Sequence, residues 1–111
     1  MWRISAISDD WVGKGCHIHI DRVELAVRPN HLGGVIFERV FSSTRDADFE
    51  VAARIAHDLL GDAEFRSKLR DSIRRAMTYL LGTTGRQRPL ARGRLREFKF
   101  LLVALDRLEA P

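Results

Sequence analysis

The hydrophobic period of this chain changes once, and no other feature of the sequence constrains its fold as much. Up to Phe41 apolar residues come in alternation or in short β-branched and aromatic runs, while from Asp46 onward they recur every three or four positions. A period of two belongs to a strand with one buried face, and a period near 3.6 to an amphipathic helix. Strands first and helices after predict an α+β fold, a small antiparallel sheet of three to four strands packed against a C-terminal set of three helices. With 111 residues the chain has room for one core, so residues 1–111 are read as a single domain with a β-rich part over 1–42 and a helical part over 46–109.

In the first part, Trp2, Ile4 and Ala6 alternate and predict a short strand over 2–8, followed by turns at Asp9-Asp10 and at Gly13–Gly15. Cys16, Ile18 and Ile20 face one way and His17, His19 and Asp21 the other. After Arg22 the apolar phase moves to Val23, Leu25 and Val27. A half-buried strand cannot change phase without an extra residue, so a bulge or a tight turn is expected at Asp21-Arg22. Pro29-Asn30 and Gly33-Gly34 bracket the next turn, and Val35–Phe41 reads as another strand.

In the second part, Ser43 to Asp46 offer N-cap residues, and Phe49, Ala52, Ala53, Ala56, Leu59 and Leu60 follow at helical spacing up to Gly61. Asp62 can cap the next helix, whose buried face is predicted as Phe65, Leu69, Ile73, Ala76, Met77, Leu80 and Leu81, ending at Gly82. The short connection between the two predicts an αα-hairpin over 46–81. Thr83–Pro89 is a loop by composition, and Gly93 delays the last helix to about Arg94–Leu108. Its stripe of Leu95, Phe98, Leu101, Leu102, Leu105 and Leu108 is widened by Phe100, Val103 and Ala104, so burial on more than one side is expected.

Charge is distributed unevenly. Between Phe65 and Lys99 stand eleven of the nineteen bases and only two of the fifteen acids, Asp71 and Glu97. Sixteen of the nineteen are arginine, whose planar fork suits carboxylates and phosphates. The candidate contact residues are Arg66, Arg70 and Arg74 on a helix, and Arg86, Arg88, Arg92, Arg94 and Arg96 in or beside the Gly85–Arg96 loop. Such a run has three readings. The chain's own Asp46, Asp48, Glu50, Asp58 and Glu64 can fold back on it. A nucleic acid can meet it, since clustered arginines suffice for phosphates. A protein partner presenting an acidic surface can meet it, with the apolar last helix supplying the rest of the interface. A helix-turn-helix would put Gly61 in the turn and Arg66, Lys68 and Arg70 on the second helix, but a helix of some nineteen residues with an apolar stripe throughout argues against it. The loop also lacks the interleaved aromatics of a single-strand platform. The protein partner is the reading adopted, in the manner of an adaptor, antitoxin or immunity protein, with self-association included and nucleic acid as the alternative.

Chemistry has weaker signals. His17, His19 and Asp21 put two imidazoles and a carboxylate on one strand face, about 6–7 Å apart per step, as an outside candidate for a metal-dependent hydrolase. Neighbours on one strand face project in parallel, which opposes convergence on an ion. Cys16 alternates with isoleucines and reads as core. No nucleophile elbow, P-loop or dinucleotide fingerprint occurs, so a non-enzymatic chain without cofactor is expected. No apolar run is long enough to span a bilayer, the N-terminus has no signal-peptide h-region, and a lone cysteine excludes an internal disulfide. The cytoplasm is therefore the expected compartment.

Overall fold

A computed structural model describes residues 4–9 by their backbone, and residues 16–109 in full. Four strands, β1 (Ile4–Asp9), β2 (Cys16–Ile20), β3 (Val23–Pro29) and β4 (Val35–Arg39), form an antiparallel sheet in sequential order. Three α-helices follow, α1 (Asp46–Leu59), α2 (Ala63–Leu81) and α3 (Arg88–Glu109), with a single 3₁₀ turn, Gly85–Gln87, before the last. The architecture is α+β, as the change of period predicts. Asp9 ends β1 opposite Cys16 instead of opening a turn. Trp2 and the predicted turns at Asp10 and Gly13–Gly15 lie outside the described residues.

The phase change at residue 21 is resolved by a turn. Ile20 pairs with Val23 across a two-residue hairpin, with Asp21 in the left-handed region at φ 52°. Asp is among the few residues that tolerate this backbone, and such a turn matches the twist of the flanking strands. Register then puts Cys16, Ile18, Ile20, Val23, Leu25, Val27, Val35 and Phe37 on one buried face. The second hairpin is held by Asn30. Its carboxamide oxygen accepts from the backbone N–H of Leu32 at 2.6 Å and of Gly34 at 3.4 Å, while Gly33 takes φ 87°. Leu32 is thereby displayed at the tip, 81% exposed.

Beyond Arg39 the strand ends, and Phe41 is exposed where the β-branched and aromatic run predicted strand. Arg39 turns to α1 instead, pairing with Asp46 at 2.5 Å and stacking over the Phe49 ring at 4.9 Å. That contact steadies a helix whose N-cap, Arg45, makes no side-chain capping bond. Asp62 does cap α2, accepting from the N–H of Glu64 at 3.0 Å. Arg66 then reaches back to donate to the carbonyl of Leu60 at 2.8 Å, satisfying an acceptor at the end of α1.

Helix packing departs from the predicted αα-hairpin. α1 lies on β3 and β4, α2 lies on β1 and β2, and the helix that packs closely on α2 is α3. The short turn at 60–62 redirects the chain across the sheet, because covering four strands needs the helices spread out. Ala52 and Ala56 bring α1 close to the sheet, and Phe65, Leu69, Ile73, Ala76 and Leu80 bury one stripe of α2. Ser72 joins that stripe fully buried, its Oγ 3.4 Å from Cys16 Sγ, a polar position that no hydrophobic period reveals. Met77 is half-buried and Leu81 is 73% exposed, so the buried face stops at Leu80.

Leu69 and Leu81 belong to one sequence stripe but have opposite environments, and they provide a test. Leu69→Ala should cost about 2–5 kcal/mol of unfolding free energy, whereas Leu81→Ala should stay within about 0.5 kcal/mol of the parent. Urea titration of both variants measures the difference.

Candidate partner-binding surface

Arg66 and Arg70 carry charge into the seam between α2 and α3. Glu109 accepts from Arg70 Nη2 at 2.8 Å and from Arg66 Nε at 3.4 Å, and Asp106 accepts from Arg70 at 3.3 Å. The start of α2 thus meets the end of α3, and the two helices run antiparallel. The two arginine side chains are only 12% and 16% exposed. The hydrogen bond from Arg70 is the main reason the Glu109 carboxyl lies below its usual range, and the same bond raises the Arg70 guanidinium. These two predicted contact residues are therefore spent within the chain, on acids of α3. Of the acids expected to fold back, Glu64 does meet a base of the stretch, Lys68, whereas Asp46 pairs with Arg39 and Asp48 with Arg45.

The remaining arginines are arranged by a helix where composition predicted a loop. α3 begins at Arg88, six residues before the expected start. Pro89 fits a first helical turn, where its fixed φ helps and its missing N–H costs nothing. Gly93 costs about 1 kcal/mol in a helix, which the burial of Ala91 and Phe98 on either side outweighs. Gly85, at φ 70°, makes the reversal that lets α3 start so early. Arg88, Arg92 and Arg96 consequently stand at i, i+4 and i+8 on one exposed face, with Lys99 next along it. Arg86 on the 3₁₀ turn and Arg74 on α2 are exposed beside this end of the seam, and Arg94 is half-buried and engaged.

Among the described residues none of Arg74, Arg86, Arg88, Arg92, Arg96 and Lys99 has an acidic partner. Like charges one turn apart repel by about 0.2–0.5 kcal/mol per pair, and cations in the first turns of a helix oppose its dipole. The ridge is thus held at an electrostatic cost.

Beyond Lys99 the same face turns apolar. Phe100 and Val103 are 59% and 47% exposed, so α3 buries one side only and the expectation of wider burial fails within this chain. They line one wall of a groove of about 590 Å³ whose other wall is the hairpin turn Pro29–Gly34. Glu97 and Arg107 edge it. Glu97 is bound to Arg28 by two hydrogen bonds, at 3.0 and 3.2 Å. The excess width of the α3 stripe was the sequence signal for this groove, but its other wall comes from residues some seventy positions away.

The histidine pair is organised differently from its prediction. Asp21 sits exposed in the hairpin turn and does not join His17 and His19. Glu24 takes that place from the neighbouring strand, its Oε1 at 3.4 Å from His17 Nδ1 and 3.1 Å from His19 Nε2. One carboxylate spans two half-exposed imidazoles on the sheet face away from the helices. Among the described residues no group of three His, Cys, Asp or Glu side chains is set to hold a metal ion. Cys16 is fully buried, facing the helices, across the sheet from both histidines.

The seam has a pH signature. A depressed carboxyl contributes stability above its unfolded pKa, and the contribution disappears as pH falls through the folded value. Glu109→Gln should lower Tm at neutral pH, and the gap to the parent should close below the ordinary carboxylate range; thermal melts across an acid series check both. Compared with protein-family models, with curated proteins and with solved structures, the chain matches none of them.

Proposed function

We propose that this protein is a small non-enzymatic binding module that docks a protein partner through the outer face of α3, and that it inhibits or neutralises the partner by covering a functional surface. One observation carries the reading: an arginine ridge with no acidic partner among the described residues, Arg88, Arg92 and Arg96, runs directly into exposed Phe100 and Val103. A cationic rim beside an apolar centre is the composition of a protein interface, where arginine and aromatic anchors dominate the energy. The partner presents an acidic surface with apolar residues within it. Arg74 and Arg86 extend the ridge; Arg66 and Arg70 support it by holding α2 against α3.

No described helix is long and apolar enough to cross a membrane. Together with a single buried thiol, this supports a cytoplasmic setting for the proposal. The alternative is that the same ridge meets nucleic-acid phosphates, which the regular i, i+4, i+8 spacing suits. Phe100 and Val103 favour the protein, because a phosphate backbone offers them nothing.

The test is charge reversal on the ridge. In a pull-down from the native host, Arg88→Glu, Arg92→Glu and Arg96→Glu together should release a retained protein partner while far-UV circular dichroism and Tm stay near the parent. If the retained component is nuclease-sensitive, or if retention survives the triple reversal, the proposal fails. On the nucleic-acid alternative, affinity for a generic duplex falls steeply with salt.

A further inference from the structure

We infer that the groove between α3 and the β3–β4 turn is the seat for an acidic amphipathic helix, whose apolar side chains enter between Leu32, Phe100 and Val103 while its carboxylates meet the cations around them. This deepens, and rests on, the acidic-partner reading.

The occupant follows from shape and charge together. Phe100 and Val103 leave their apolar surface on the groove wall, and Leu32 stands at its rim on a turn fixed by Asn30. One helical turn before Phe100 is Arg96, one turn before Val103 is Lys99, and one turn after Val103 is Arg107. Arg107 also extends over Gly33, where an added Cβ would clash with its Nη1, so it bridges the two walls of the groove. The nearby acids are committed, Glu97 to Arg28 and Asp106 to Arg70. The groove therefore presents an apolar wall edged by Arg107 and by Glu97, which Arg28 already pairs, with Arg96 and Lys99 beside it on α3, the complement of a helix carrying Leu or Phe on one stripe and Glu or Asp beside it.

The same features disfavour other occupants. Two copies of this chain meeting here bring Arg96, Lys99 and Arg107 against their counterparts, and like charges facing across an interface are strongly unfavourable. A lipid surface is flat and does not fill a concavity. Duplex phosphates satisfy the cations but leave the apolar wall wet.

Fluorescence anisotropy with defined probes tests this. The first probe is a labelled peptide of about 18 residues, one helical face leucine and the adjoining positions glutamate. The second is its isomer of equal composition with the leucines scattered around the helix. Oligoglutamate, a short DNA duplex and phosphatidylserine-containing vesicles complete the set. The amphipathic peptide should bind about tenfold or more tightly than its isomer. Phe100→Ser with Val103→Ser should abolish that preference and leave the weaker, salt-sensitive binding that the isomer shows. Both positions are exposed, and a thermal melt verifies that the double variant remains folded. Arg96→Glu with Lys99→Glu should weaken both peptides.

Equal affinity for the two peptides, or a preference that survives the double serine variant, overturns the groove while leaving the acidic-partner reading intact. Absence of binding by both peptides and by oligoglutamate at low salt overturns both. Tighter binding of the duplex or of the vesicles than of the amphipathic peptide overturns the inference in favour of phosphates or lipid.

Discussion

A sheet with one apolar face must have that face taken out of water, and the way three helices accomplish this determines the rest of the molecule. Eight side chains of β2, β3 and β4 point inward, each worth on the order of 1.5–3 kcal/mol when fully buried. Two helices laid on the strands leave a gap between them. α3 fills it, with Phe98, Leu101 and Leu105 in the core and half-buried Leu95 and Leu102 packed against it. It is anchored at its far end by Glu109 and Asp106 on the arginines of α2. Because α3 completes the core from one side, its opposite side is left uncovered by the described residues.

The charge distribution is a consequence of that placement. Antiparallel packing brings the two acids at the end of α3 to Arg66 and Arg70 at the start of α2. At the other end of the seam, Arg74 of α2 and Arg88, Arg92 and Arg96 of α3 have no acidic partner among the described residues. One basic stretch in the sequence thus becomes two regions. The first is a clamp whose two arginines are 12–16% exposed and whose hydrogen bond from Arg70 depresses the Glu109 carboxyl. The second is an open ridge continuing into the groove against Leu32.

Local rules were legible wherever local physics decides. The hairpin turn at Asp21-Arg22 follows from a phase change that no uninterrupted strand can carry. Asp62 as an N-cap follows from a side chain one bond short of a backbone amide. The core stripe Phe65–Leu69–Ile73–Ala76–Leu80 follows from helical periodicity. Periodicity was misleading at Leu81, which extends the pattern past the last residue the sheet can reach, and at Ser72, where close approach to Cys16 takes precedence over polarity. Composition misled at Gly85–Arg96, since glycine and proline mark loops on average; here one glycine provides the reversal and the proline begins a helix.

By itself, the sequence determined the class of fold, the phase change that becomes the hairpin turn at Asp21-Arg22, the Asp62 cap, and the presence of more positive charge than the chain's nearby acids balance. Each of these is written in spacings of two to four residues, within reach of backbone hydrogen bonds and neighbouring side chains. Only the tertiary structure decided which helices pack together, that Glu24 and not Asp21 lies between the two histidines, which arginines are neutralised, and that Phe100 and Val103 share a groove with Leu32. Those outcomes depend on burying one continuous sheet face with helices of finite width, and they join residues dozens of positions apart, for which no local pattern provides a signal.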